Sequence, residues 1–260
     1  MNRTRTKLLL QLGLRCAVIL VVCYGLYLAL YGAFGAFQSW QLSFYTVQSN
    51  ALVLLLFIGL AVNDLRLLIS PSHVPSQTHE KAGFSIHQIK VALTWAISIT
   101  GIVWHLLLVP YIEQLPEQVF FSPSISPSIL LSFSLLHTWS PLLVFLDWLL
   151  FDRKGTLHIT TPWWWLLIPL AYFAFICLKV HFTGPVNAEF GLVYPYPFID
   201  FNALGARAVA INVVFMATGM LILGYIYWGI DRLLSKMQRS SICSPENSHD
   251  HTDYGHPTKH

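Results

Sequence analysis

The chain has 260 residues, of which 55% are hydrophobic and only 10% are charged, and its mean hydropathy is +0.58. Soluble domains carry about 25% charged residues, so this composition excludes an ordinary soluble protein. The net charge of +3 does not indicate nucleic-acid binding, because the basic residues lie beside apolar runs rather than in one patch.

Six apolar runs predict six membrane-spanning helices, since a span needs roughly 20 apolar residues. The first run follows several basic residues, as in a signal peptide, but it is long for one and five more runs follow, so we expect it to be retained. Residues 1–236 then form one membrane domain, and residues 237–260 form a polar cytoplasmic tail that we expect to be disordered. The helices are predicted at about residues 8–31, 42–62, 89–109, 128–151, 163–182 and 206–230.

The loops and termini that contain lysine and arginine all lie on one side of this arrangement. The N-terminus, the second and fourth loops and the tail contain these residues, whereas the first, third and fifth loops contain none. This positive-inside pattern predicts an all-α, polytopic six-helix bundle with both termini cytoplasmic, lying in the cell (inner) membrane.

The first half of the second helix is polar. The apolar run after Asn50 is too short to span a bilayer, so the span must include this polar half. Ser43, Thr46, Ser49 and Asn50 are spaced to share one helical face. Because hydroxyl and amide groups are costly in lipid, this face is expected to line a protein interior or a wet cavity.

Polar residues from several helices are predicted to lie in the outer half of the membrane. Such agreement between separate helices is not expected by chance, and intramembrane ionisable residues mark functional sites by default. These residues are Thr46, Asn50, His105, His137, Lys179 and Arg207.

Each of these residues also has a structural interpretation. Thr46 and His137 can serve as hydrogen-bonding links between helices. His105 shares a face with Thr94, Ser98 and Gly101, which is typical of a small-residue packing seam. Lys179 and Arg207 can extend to the outer interface, or they can bind an anionic group.

Metal and cofactor binding receive little support. His105, His137 and His181 come from different helices without ligand spacing, and no phosphate-binding loop or GxSxG motif occurs. We therefore expect neither a metal nor a cofactor. The tail histidines, His249, His251, His256 and His260, indicate either weak metal binding or a solvated segment.

The fifth loop contains the aromatic and proline-rich stretch 194–200, YPYPFID. Its prolines make it rigid, and it can act either as a lid over an outer cavity or as an interfacial turn. Asp147, near the inner end of the fourth helix, is expected to mark an interface or a bond between helices.

Two segments resemble a known family. The stretch 44–53, FYTVQSNALV, runs on to Asn63-Asp64-Leu65 and resembles the second helix of the androgen-induced protein and ADTRP superfamily. The stretch 137–144, HTWSPLLV, resembles the His-Thr-x-x-Pro segment in that family's fourth helix. The loop 194–200 and Lys179 are similar to a bacterial branch of the superfamily.

The resemblance implies a six-helix intramembrane threonine hydrolase acting on fatty acid esters of hydroxy fatty acids or similar lipids. By position, Thr46 would be the nucleophile and His137 its base, because a threonine hydroxyl needs an adjacent base to attack an ester. Asn50 would donate to the oxyanion, and Lys179 or Arg207 would bind a lipid carboxylate. The sequence suggests no carboxylate that would orient His137.

A non-catalytic function stays open at this point. The same residues suit a membrane protein that binds or carries an anionic lipid or a small metabolite through Lys179 and Arg207. For the hydrolase, the expected partner is a membrane lipid or a lipid-like ester substrate, and the sequence does not predict the oligomeric state. The distance between Thr46 and His137 discriminates the two, because catalysis requires hydrogen-bond reach.

Overall fold

The computed structural model describes residues 3–32, 35–70, 77–113 and 127–242, which form helices and connecting loops without a β-strand. Six helices are long and apolar enough to cross a membrane. The protein is therefore a multi-pass, all-α integral membrane protein, which confirms the predicted fold class. The helices are α1 (Arg5–Gly32), α2 (Tyr45–Ile69), α3 (Ile86–Ile112), α4 (Pro127–Phe151), α5 (Thr161–Thr183) and α6 (Phe201–Gln238).

Helical backbone continues beyond some of these spans. It begins at Arg3 in α1 and at Gln77 before α3, and it extends to Ile242 after α6. Residues 237–242, which the sequence assigned to the disordered tail, thus continue the last helix. The remaining tail, with its four histidines, lies outside the described residues.

Two helices contain a π-helical turn close to the membrane histidines. These turns are Trp104–Leu108 in α3 and Leu135–Trp139 in α4. The sequence predicted that the third helix would end near residue 109, just before Pro110, but the helix continues as Val109–Glu113. The backbone N–H of Val109 donates to the Trp104 carbonyl five residues earlier. This π-helical turn changes the backbone hydrogen-bonding pattern just before Pro110, which a proline would otherwise interrupt.

Helix α2 is longer than predicted because its acidic end is buried. The sequence placed the end of this helix near residue 62, before Asn63 and Asp64, whereas the helix runs to Ile69. Asp64 is only 3% exposed, and its carboxylate accepts a 2.7 Å hydrogen bond from Arg15 of α1. A charge paired inside the bundle is compatible with a continuing helix, so the acidic residue did not mark a loop.

A buried cluster of charges joins the first four helices at the end of the bundle away from Thr46. Arg15 also lies 3.4 Å from Asp147 of α4, and Lys90 of α3 pairs with both Asp147 and Asp152. Asp147 therefore bonds between helices. We call this group, with Asp64, the ion-pair cluster.

Three apolar clusters hold the helices together. The first contains residues of α1, α2, α3 and α4. The second packs aromatic rings of α3, α4, α5 and α6, among them Trp95, Trp148, Trp165 and Tyr227. The third places the fifth loop on α5 and on the start of α2, through Ile176, Val186, Tyr196 and Ile199. This third cluster covers the polar beginning of α2 and forms one wall of the site.

Candidate functional site

Thr46 and His137 meet where α2 begins beside the middle of α4. Thr46 is the second residue of α2, and His137 lies in the π-helical turn of α4. The Thr46 Oγ1 atom is 3.1 Å from the His137 Nε2 atom, and the two residues are only 7% and 8% exposed. The structure thus brings these two sequence-predicted residues into direct hydrogen-bond contact.

The second nitrogen of His137 defines the direction of this hydrogen bond. His137 Nδ1 lies 3.1 Å from the backbone carbonyl of Phe133. A carbonyl oxygen only accepts, so Nδ1 must carry the hydrogen and donate it. In the neutral imidazole, Nε2 is then the acceptor, and the Thr46 hydroxyl donates its proton towards the histidine.

Aromatic rings fix the plane of the His137 imidazole. Trp104 of α3 stacks on it with ring centroids 4.2 Å apart and an angle of 27° between the planes. Phe133 packs edge-on against the same ring at 5.9 Å. The sequence analysis missed Trp104, since a tryptophan in a membrane helix gives no signal beyond apolar packing.

Asn50 is completely buried and links α2 to α4. Its side-chain amide donates to the Thr46 carbonyl at 2.9 Å and to the Leu136 carbonyl at 3.3 Å. The Ser140 hydroxyl donates to its side-chain oxygen at 2.6 Å. Both amide hydrogens are therefore engaged, and in this arrangement Asn50 holds the backbones at Thr46 and Leu136 together instead of offering a free donor to an oxyanion.

The face of α3 that carries His105 packs against its neighbours. A Cβ atom added to Gly101 would lie 3.0 Å from the His137 carbonyl oxygen and 3.3 Å from the Pro141 ring, so a larger residue would push α3 and α4 a few tenths of an ångström apart. His105 Nε2 lies 3.0 Å from the Thr138 hydroxyl, and Ser98 contacts the Tyr227 hydroxyl of α6 at 2.7 Å. This face is a packing seam, and His105 belongs to the contact between the two π-helical turns.

Tyr196 from the fifth loop reaches the same point. It is 8% exposed, and its ring packs against Phe44, Tyr172 and Phe198 at centroid distances of 5.7, 6.3 and 5.3 Å. Burial raises the pKa of its hydroxyl, and the nearby Thr46 side chain and the backbone of Thr46 and Tyr45 only partly offset this effect. The stretch 194–200 therefore closes the cavity over Thr46, as a lid would.

An apolar cavity of about 90 Å³ extends from these residues to the gap between α5 and α6. Leu170, one of its lining residues, is 38% exposed on the outside of the bundle. Of the described residues that line it, none is Lys179 or Arg207, and Arg207 is exposed on α6. The lining residues include Tyr45, Thr46, His137, Tyr196, Leu170, Tyr172, Phe173, Val213, Met216 and Met220.

Within the described ranges, no three histidine, cysteine, aspartate or glutamate side chains gather as metal ligands would. Tyr196 is a second residue that the sequence did not assign to the site, although the loop that carries it was singled out as a lid candidate. Comparisons with known proteins give no relative, because no protein-family model, curated protein or solved structure matches the chain.

Proposed function

We propose that this integral membrane protein is an intramembrane lipid-ester hydrolase in which Thr46 is the nucleophile and His137 the general base. The observation that carries the proposal is the 3.1 Å contact between Thr46 Oγ1 and His137 Nε2 at the end of an apolar cavity. The resemblance of the segments 44–53 and 137–144 to the androgen-induced protein and ADTRP superfamily supports the same assignment. The chain would then be a divergent, bacterial-branch member acting in the cell (inner) membrane.

Acylation follows from the direction of the hydrogen bond. Thr46 Oγ attacks the ester carbonyl carbon, and its proton passes to His137 Nε2, which already accepts it. The tetrahedral intermediate collapses when the bond to the leaving oxygen breaks. That oxygen takes the proton back from Nε2 and leaves as an alcohol, and an acyl ester on Thr46 remains.

Deacylation uses the same two residues in reverse. A water molecule attacks the acyl-Thr46 carbonyl while His137 Nε2 takes one of its protons. The bond between the acyl carbon and Thr46 Oγ breaks, and the proton returns from Nε2 to that oxygen. The products are a free carboxylic acid and the restored Thr46 hydroxyl.

The imidazolium formed in both steps needs stabilisation. Serine hydrolases supply it with an aspartate on the second nitrogen. Here the Phe133 carbonyl accepts from Nδ1, and the face of Trp104 lies 4.2 Å from the ring. The negative face of an indole attracts a cation, and this attraction is stronger where water is excluded.

The cavity indicates an apolar substrate chain. Its lining is almost entirely aliphatic and aromatic, and it runs from Thr46 to the space between α5 and α6. The alternative of an anionic-lipid carrier receives no support from the described residues, because neither Lys179 nor Arg207 lines this cavity. A role of these two residues in holding a substrate carboxylate stays a prediction of the sequence.

Covalent labelling with a fluorophosphonate tests the proposal. Purified wild-type protein, Thr46→Val, Thr46→Ser, His137→Ala and Ser49→Ala would be labelled in parallel, and the modified residue identified by mass spectrometry. Ser49→Ala is the matched control, because Ser49 is a buried hydroxyl one turn away that contacts the Thr100 hydroxyl at 3.2 Å and the Thr46 backbone carbonyl at 3.3 Å, but not the Thr46 hydroxyl. We expect labelling at Thr46 in the wild type and the control, and at the same position in Thr46→Ser.

Thr46→Val and His137→Ala should each lower the labelling rate by about 10³-fold or more. The double variant with both changes should lower it no further, because the two residues act as a unit. Folded wild-type protein that fails to label with short-chain and long-chain probes would refute the nucleophile assignment. Labelling that persists in His137→Ala at the wild-type rate would refute the assignment of the base.

A further inference from the structure

We infer that the Tyr196 hydroxyl stabilises the oxyanion that forms when Thr46 attacks the ester, which makes Tyr196 a third catalytic residue. The inference rests on the proposed function and extends it to a residue that neither the sequence pattern nor the resemblance assigned. Its basis is that Tyr196, Thr46 and His137 line one cavity.

The developing oxyanion needs a donor close to Thr46 Oγ. His137 cannot supply it, because Nε2 is taking up the Thr46 proton and Nδ1 donates to the Phe133 carbonyl. Asn50 cannot supply it either, because its amide donates to two backbone carbonyls. The donor to the oxyanion must therefore come from a residue other than His137 and Asn50.

Tyr196 has the required position. It lines the same cavity as Thr46 and His137, and its ring packs edge-on against Phe44, which directly precedes α2. The Thr46 side chain and the backbone of Tyr45 and Thr46 influence the pKa of its hydroxyl, which is consistent with a position near the start of α2. Because Tyr196 lines the cavity together with Thr46, its O–H can reach the oxygen of an ester bound there.

Tyr196 is also held rigidly enough to act as a preorganised donor. Its ring contacts Phe44 edge-on at 86° and stacks on Phe198 with only 4° between the planes. Donors fixed before the reaction stabilise developing charge without reorganisation during the step. Because burial raises the pKa of this hydroxyl, it stays protonated at neutral pH and can donate.

The chemical step keeps the tyrosine proton in place. When the bond between Thr46 Oγ and the carbonyl carbon forms, the carbonyl π electrons move to its oxygen. The Tyr196 O–H then donates a hydrogen bond to that oxygen without transferring its proton. The bond weakens again when the carbonyl reforms and the alcohol leaves.

Fluorophosphonate labelling of Tyr196→Phe tests this role, because attack of Thr46 on phosphorus displaces fluoride while negative charge builds on the phosphoryl oxygen. The variant removes only the hydroxyl and keeps the ring contacts. Tyr194→Phe is the matched control, since Tyr194 lies in the same loop, packs on Phe201 and does not line the cavity. The inactivation rate constant and the apparent affinity for the probe would be measured separately, together with thermal unfolding.

We expect Tyr196→Phe to lower the inactivation rate constant by about 10²-fold, with the probe affinity and the unfolding temperature near wild type. Tyr194→Phe should react at the wild-type rate. A Tyr196→Phe protein that labels at the wild-type rate would overturn the inference and leave Thr46 and His137 in place. If Tyr196→Phe lowers the probe affinity and the unfolding temperature together with the inactivation rate constant, the role of Tyr196 is purely structural. Absence of labelling in the wild type would remove the proposed function itself.

Discussion

His137 is held in an unusual way for a proposed catalytic base. None of the described carboxylates contacts its ring, and its Nδ1 donates to a backbone carbonyl of the same helix. A carbonyl fixes the tautomer as an aspartate would, but it carries no full charge to stabilise an imidazolium. Trp104 is then the residue from which most of that stabilisation is expected.

Replacing Trp104 should therefore impair the chemical step. We expect Trp104→Leu to lower the inactivation rate constant with a fluorophosphonate by about 10-fold, which corresponds to a cation–π contribution of roughly 1.4 kcal/mol. Trp104→Phe should retain part of the effect, because it keeps an aromatic face. Trp139→Leu is the control, since Trp139 lies in the same π-helical turn of α4 as His137 but is 49% exposed. Equal rates in Trp104→Leu and Trp104→Phe would show that packing, not the aromatic face, matters.

Some residues of the candidate site could be identified from the sequence, and others could not. Thr46 and His137 were singled out because a polar residue in an apolar helix stands out by its solvation cost, whereas their roles as a pair came from the resemblance of two segments to a known family. Tyr196 and Trp104 did not stand out, since aromatic residues are common in membrane helices and at their interfaces. The hydrogen bonds of Asn50 also required the structure, because its side chain can act as a donor to several different partners.

At the scale of elements, the two π-helical turns and Gly101 form one unit. His105 and Thr138 link the turns, and Gly101 lets α3 approach the carbonyl of His137. Since π-helical turns are rare and frequently lie at functional sites, this local widening is consistent with the catalytic role proposed for His137. The unit positions Trp104 over the imidazole.

Adding one methyl group at Gly101 should disturb this unit. Gly101→Ala places a Cβ 3.0 Å from a backbone oxygen, which cannot move as a side chain can, so we expect a destabilisation of about 1–3 kcal/mol and slower labelling of Thr46. Gly59→Ala is the control, because nothing lies within 4 Å of its Cβ and alanine favours a helix. Thermal unfolding and labelling rates would be compared. Equal behaviour of the two variants would contradict the close-packing role of Gly101.

The existence and order of the six helices followed from the sequence, whereas their irregularities did not. Apolar runs separated by polar loops identify spans, because a bilayer imposes length and composition. A π-helical turn such as Leu135–Trp139 adds a residue to the helical period without a compositional mark. The length of α2 was underestimated because Asp64 is paired to a residue more than forty positions away, which a local pattern cannot reveal.

For the whole molecule, the ion-pair cluster is the main polar link between helices. It contains the carboxylates of Asp64, Asp147 and Asp152 and the cations of Arg15 and Lys90, all buried. Burial raises the pKa of Asp152, but hydrogen bonding to His87 and the charge of Lys90 outweigh it and hold the pKa below its usual range. The members of the cluster are thus mutually dependent, and removing different members should have different costs.

Arg15→Met should destabilise the protein far more than Asp147→Asn. The first change leaves Asp64 buried without its cation, which costs about 3–5 kcal/mol, whereas the second leaves two separate pairs, Arg15 with Asp64 and Lys90 with Asp152. The double variant Arg15→Met with Asp64→Leu should recover most of the loss, because an apolar replacement of a buried pair is often neutral. Unfolding in detergent measures these differences. A double variant as unstable as Arg15→Met would contradict this explanation.

The position of the cavity between α5 and α6 determines which concentration of a ligand controls binding: its concentration in the membrane or that in the whole sample. Because Leu170 lines the cavity and is exposed on the apolar surface of the bundle, a lipid substrate of the proposed hydrolase would arrive by two-dimensional diffusion within one leaflet without crossing water. The rate of encounter would then depend on the mole fraction of that lipid in the membrane and not on its molarity in the sample. For the proposed hydrolase, inert phospholipid added at constant total substrate should therefore slow turnover by surface dilution alone.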